Sequence, residues 1–178
     1  MAIITPGRYT GTDFAPIDGK GRIAVPSQFR NNVPLNADGQ RVLWCNYHED
    51  LPCLIAYGHD QQDRLNGEVD ADRLAMRQRD PGAAKADQFK SSYDFAYAYT
   101  LDESGRFLPH FSHRDVPEDD CYADLGPMSF AGGACAFVGA GHCFEIWWLP
   151  LLAQCDAANP RLRRVAAAWN AEKGAGRK

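Results

Sequence analysis

The chain has 178 residues, of which 45% are apolar, and a formal net charge of −4. That length allows one domain or two small ones, the composition is that of a folded globular protein, and no run of about 18 apolar residues is present to cross a membrane. The acidic balance counts against nucleic acid as a partner on average, because phosphate contacts need Lys and Arg, but it leaves room for a local basic patch.

In chain order, residues 9–17 read as a strand, Asp18-Gly-Lys-Gly21 as a tight turn and residues 23–25 as the returning strand. Gly21 suits the positive φ that such turns demand. Pro26 opens a short helix through Arg30, since proline is tolerated in a first helical turn. Residues 41–45 and 52–57 read as two more strands. Residues 59–78 are helical in composition, with Leu65, Val69, Leu74 and Met76 as sparse apolar positions. Asp80-Pro-Gly82 breaks that helix, and residues 83–91 form a further short one. Residues 93–101 alternate Tyr93, Phe95, Tyr97 and Tyr99 on one face, a core-facing strand of period two. Phe107 and Leu108 return after a second turn. Residues 134–138 and 143–147 are strands joined by Gly139-Ala-Gly141, a hairpin signal. A helix begins at 148–155, and Asn159-Pro160 supplies an N-cap and a first-turn proline. They open a helix over 160–172 with Leu162, Val165, Ala166 and Trp169 on one face.

The chain repeats itself. Asp18-Gly-Lys-Gly-Arg22 recurs 84 positions later as Asp102-Glu-Ser-Gly-Arg106, and at the same offset Arg30 falls on Arg114. Each copy has a later apolar strand, Cys53-Leu-Ile-Ala-Tyr57 and Cys143-Phe-Glu-Ile-Trp147. One unit of this size buries too little surface to be stable alone, whereas two in one chain can pack as an intrachain pseudo-dimer. The expected fold is α+β and β-rich. Its expected parts are a first unit at 1–58, a helical linker at 59–92, a second unit at 93–158, and a C-terminal helix with a basic tail at 159–178.

Charge is unevenly spread. Residues 1–47 hold Arg8, Lys20, Arg22, Arg30 and Arg41 against Asp13, Asp18 and Asp38, and acidic residues cluster at 60–72 and 115–124. Six cysteines occur without a CxxC pair, so buried reduced thiols are the expectation rather than a zinc ribbon. His48, Glu49, Asp50, His59 and Asp60 are the best metal or catalytic candidates, but their spacing fits no helical ligand motif. A small metal-dependent enzyme using His48 and His59 is one alternative. A protein-binding adaptor without DNA affinity is another.

The segment Asp18-Gly-Lys-Gly-Arg22-Ile-Ala-Val-Pro26 resembles the signature of the MraZ family, whose members contain two swapped-hairpin domains of the AbrB type. Gln28-Phe29-Arg30, Pro52-Cys-Leu-Ile-Ala-Tyr57, and Phe137-Val-Gly139 through Cys143-Phe-Glu-Ile-Trp147 are similar to further family segments, and together the likeness covers residues 8–158. It implies a non-enzymatic transcription regulator, cytoplasmic and nucleoid-associated, that uses no cofactor or metal. Its implied role is to repress its own promoter and the division and cell-wall gene cluster. It would bind short direct repeats in double-stranded promoter DNA as a closed homo-oligomeric ring.

By position, the family's DNA-facing motif falls on Asp18 and Arg22 and on Asp102 and Arg106, with Lys20 as an added basic group. Arginine forks suit guanine O6 and N7, and Lys20 suits phosphate. Arg22, Lys20, Arg106 and Arg30 are therefore the expected DNA contacts, and Asp18, Gly21, Asp102 and Gly105 the expected shapers of the two turns. The second motif departs from the first: Ser104 replaces the lysine and Glu103 adds negative charge, so the first unit is expected to dominate contact. The acidic stretch 116–133 is longer than its counterpart in the first half.

Overall fold

The computed structural model describes residues 8–48, 50–79, 96–109 and 133–175. The expected helix at 83–91, the start of the strand at 93–101, Arg114 and the acidic stretch at 116–132 lie outside the described residues.

Among the described residues, eight strands and four helices follow in the order β1 (Thr12–Pro16), β2 (Ile23–Ala24), α1 (Ser27–Arg30), β3 (Val42–Tyr47), β4 (Leu54–Gly58), α2 (His59–Arg79), β5 (Tyr97–Thr100), β6 (Arg106–Phe107), β7 (Ala134–Gly139), β8 (Phe144–Trp148), α3 (Leu149–Gln154) and α4 (Pro160–Ala175). The expected mixed, strand-rich class is the observed one, and every sheet contact is antiparallel. Strands form a six-stranded sheet in the order β1-β7-β8-β4-β3-β5 and a separate two-stranded ribbon, β2-β6.

The order of the large sheet is a palindrome of repeat equivalents. β1 of the first half pairs with β7 of the second, and β5 of the second half pairs with β3 of the first. At the sheet centre Ile55 pairs with Glu145, which are equivalent positions of the two apolar strands found to repeat in the sequence. The halves are thus interleaved about a pseudo-twofold axis, and each supplies a strand to the other's β-hairpin.

Alternation along the strands sorts side chains onto two faces. Cys135, Phe137, Phe144, Ile146, Leu54, Ala56, Leu43 and Cys45 face a core that also takes Ile23, Val25, Phe29 and Phe107. The ribbon and α1 therefore lie over this face. Ala134, Ala136 and Trp147 turn the other way, toward Leu149 and Leu152 of α3 and Ala166 of α4.

Two local expectations are corrected, at Val165 and at the β7–β8 turn. Val165 is 42% exposed, because the packed stripe of α4 runs through Leu162, Ala166 and Trp169 and Val165 falls beside it. Among the described side chains of α2, Gln62 and Leu65 in its first turns are buried and Leu74 is 58% exposed. The β7–β8 turn is centred one step later than Gly139-Ala-Gly141: Ala140 donates its N–H to the Cys143 carbonyl, and Gly141 carries the positive φ of 85°. Gly139 is instead the last residue of β7, where a Cβ would lie 2.6 Å from the Thr10 backbone.

Of the five described cysteines all are free, and Cys45, Cys53 and Cys135 are buried. Burial pushes the Cys135 thiol up to about 12, so it is an inert packing group. No helix among the described residues is long and apolar enough to cross a membrane.

Candidate nucleic-acid interface

Each Asp-x-x-Gly-Arg motif folds into the same closed turn. In the first, Asp18 Oδ1 accepts the N–H of Lys20 at 2.8 Å and of Arg22 at 2.9 Å, and Oδ2 accepts Arg22 Nε–H at 2.7 Å. The Asp18 N–H donates to the Arg22 carbonyl at 3.1 Å, and the Gly21 N–H to the Asp18 carbonyl at 3.0 Å. In the second, Asp102 Oδ1 accepts Ser104 and Arg106 N–H at 2.9 Å each, and Oδ2 accepts Arg106 Nε–H at 2.9 Å. The backbone bonds of the first turn recur at 2.9 and 2.7 Å. Gly21 and Gly105 sit at φ 81° and 73°, a region open to glycine and strained for other residues.

The aspartate explains why both turns need an acidic first residue: one carboxylate closes the backbone and holds the arginine. These bonds lower its proton affinity. The Arg22 N–H foremost, with the Arg22 guanidinium and the Lys20 N–H, holds the Asp18 carboxyl down at about 2, and the Arg106 N–H likewise lowers Asp102.

The turns feed the β2-β6 ribbon. Its register pairs Ile23 with Phe107 and Ala24 with Arg106, which sets Arg22 opposite Leu108. Ile23 and Phe107 point into the core at 0% and 4% exposure. With period-two alternation, Arg22, Ala24, Arg106 and Leu108 all point outward, and all four are partly exposed. Arg22 and Arg106 are diagonal neighbours across the ribbon, a relation that spans about 7–8 Å. Their side chains are 36% and 37% exposed. Each guanidinium is held through Nε alone, and neither Nη1 nor Nη2 has a hydrogen-bond partner among the described residues. What remains on each is an anchored two-pronged donor.

Lys20 is exposed at the tip of the first turn, beside Gly19, where nothing lies within 4 Å of a Cβ position. Arg30 has a different setting. It reaches from α1 to the turn of the opposite repeat, where Nη1 donates to the Ser104 carbonyl at 2.9 Å and the side chain packs on the bare Cα of Gly105. This contact, and the outward Ala24 and Leu108, escaped sequence reasoning. The signal for the ribbon was available, because the 84-residue offset that aligns the motifs also maps Ile23 onto Phe107.

Of the metal candidates, Glu49 lies outside the described residues, and the described ones are not drawn together. His48 Nδ1 accepts the N–H of Asp50 in its own loop at 3.0 Å, His59 starts α2, and no cluster of three potential ligands occurs among the described residues.

No protein-family model matches the chain. It is 30% identical to the transcriptional regulator MraZ of Xanthobacter autotrophicus over 140 residues, 79% of this chain and 76% of that protein. It is 28% identical to the transcriptional regulator MraZ of Rhodospirillum rubrum over 160 residues, 90% of each chain. It is also 28% identical to that of Coxiella burnetii over 139 residues, 78% of each. With the repeat, the paired Asp-x-x-Gly-Arg turns and this extent of likeness together, the chain belongs to the MraZ family of transcriptional regulators.

Proposed function

We propose that the chain regulates transcription by laying the outward face of the β2-β6 ribbon into the major groove of promoter DNA. The observation that carries this reading is the diagonal pair Arg22 and Arg106, each anchored through Nε by its own aspartate with both terminal nitrogens unbonded among the described residues. Such a fork can donate twice to guanine O6 and N7, and a two-stranded ribbon fits a groove about 12 Å wide. The dimensions support the same placement. Gly21 and Gly105 mark opposite ends of the ribbon, four residue rises apart in register, which is about 13 Å. Each turn then lies beside one of the two phosphate backbones while the arginines reach the base edges between them.

In this reading Arg22 and Arg106 read bases, Lys20 takes a phosphate, Asp18, Gly21, Asp102 and Gly105 shape the two turns, and Arg30 serves by bracing the second turn. The repeats at 1–58 and 93–158 act as one AbrB-like module of two swapped hairpins. One module touches few bases, so a homo-oligomeric ring on short direct repeats would gain affinity through effective concentration. The expected setting is cytoplasmic and nucleoid-associated, and the expected outcome is repression of the protein's own promoter and of the division and cell-wall genes.

The test is a fluorescence-anisotropy titration with duplex DNA from upstream of the protein's own gene. Binding should weaken steeply with added salt, and Arg22→Ala should cost about 1–3 kcal/mol. Absence of binding at low salt, with the oligomer intact, overturns the reading and leaves the protein-binding adaptor in its place.

A further inference from the structure

The two turns have the same backbone, the same hydrogen bonds and the same pseudo-twofold relation, yet their tips differ in chemistry. The positions of Gly19 and Lys20 in the first turn are those of Glu103 and Ser104 in the second, and all four are exposed. One tip thus presents an ammonium and no competing side chain. The other presents a carboxylate where its counterpart has a hydrogen.

We propose that Glu103 and Lys20 make the ribbon a directional reader, which engages the phosphate backbone through the first turn and holds the second turn off it. The proposal rests on the DNA-binding reading above. Its physical basis is that a duplex has twofold symmetry of its own, so a symmetric ribbon could dock in either of two orientations related by half a turn. Arg22 and Arg106 cannot choose between them, because the pseudo-axis exchanges one with the other. The tips can. They lie at opposite ends of the ribbon, each beside a different backbone. Lys20 attracts phosphate as a point charge, whereas Glu103 repels it and leaves a charged group facing a charged strand. The two backbones are therefore gripped unequally.

On the base-reading face a second difference points along the same axis. Leu108 stands opposite Arg22 where Ala24 stands opposite Arg106, so the apolar contact available to a thymine methyl is larger beside the first arginine than beside the second.

The experiment uses the full-length oligomer and a randomised duplex pool. Sites are selected, and phosphate-ethylation interference is then mapped on both strands. For the wild-type chain the selected site should differ from its own reverse complement, with strong interference on one flank and weak on the other. Glu103→Gly combined with Ser104→Lys makes the second tip a copy of the first. It should bring interference to both flanks and steepen the salt dependence by about one phosphate contact. Equal interference on both flanks of the wild-type site, or a double variant whose weak flank stays weak, overturns the directional reading and leaves DNA binding intact. Failure of the wild-type oligomer to enrich any duplex overturns the DNA-binding reading and this inference with it.

Discussion

Ile23 pairs across the ribbon with Phe107, the residue that holds its own place in the second repeat. A position can face its equivalent in an antiparallel pair only if the twofold axis passes between them. This pair is therefore the centre of the candidate interface, and its two buried side chains fasten the ribbon to the core that the large sheet presents.

Phe107 is 4% exposed and its ring lies 5.4 Å from that of Tyr99. Phe107→Ala should lower unfolding stability by about 3–5 kcal/mol, the usual cost of emptying a buried aromatic site. Because the ribbon is only two residues deep, DNA affinity should fall further than for Arg22→Ala. Chemical denaturation and anisotropy on one preparation check both. A ribbon that binds normally in a Phe107→Ala protein would place the interface elsewhere.

Much of this site could be read from residue types alone. The Asp-x-x-Gly-Arg spacing marks a tight turn, and in both copies one carboxylate closes it. Period-two alternation correctly set Tyr97 and Tyr99 toward the core, with Ala98 and Thr100 exposed. Which strands pair was not legible, because a strand carries no mark of its neighbour. Nothing in Thr12–Pro16 says that it joins Ala134–Gly139, far along the chain, rather than its own half. The reach of Arg30 was not legible for a related reason: a basic residue closing a short helix has no sequence signal for a carbonyl in the other repeat.

That long-range contact can be measured by a double-mutant cycle. Gly105→Ala meets two costs, a positive φ of about 1–2 kcal/mol for a residue with a Cβ and the displacement of the Arg30 side chain that packs there. Arg30→Ala removes the second cost and the bond to the Ser104 carbonyl. The double variant should therefore be less destabilised than the sum of the single ones. Strict additivity would mean that Arg30 does not rest on the second turn.

Gly139 marks where the segment leading into β1 approaches the end of β7 too closely for any side chain. Its N–H donates to the Gly11 carbonyl at 2.8 Å, and an added Cβ would lie 2.6 Å from Thr10 backbone atoms, which cannot swing aside as a side chain does. Gly139→Ala should destabilise the protein by about 1–3 kcal/mol, the range for overpacking. Gly39→Ala has open space around it and suffers only from its φ of 75°, so it should be the milder change. Thermal melts of the two variants side by side decide the matter, and equal melting temperatures would refute the close approach.

Asp18 gives the site a defined pH response. Its carboxyl is lowered from an ordinary value of 3.8 to about 2, chiefly by the Arg22 N–H. A group whose folded value is depressed stabilises the fold fully above its unfolded value and ceases to do so as pH falls through the folded one. The contribution of this turn is therefore complete above 3.8 and disappears toward pH 2. Between pH 5 and 8 the Asp18–Arg22 pair stays charged and closed, so this group should add no slope to a plot of DNA affinity against pH. Carbon-detected NMR of the Asp18 carboxyl should find a midpoint well below 3.8, and a midpoint at or above it would mean that the turn is open in solution. Asp18→Asn keeps an acceptor for the two N–H groups but loses the charge that holds Arg22 Nε. It should leave the turn folded and weaken DNA binding several-fold, which separates the shaping role of the aspartate from its hold on the arginine.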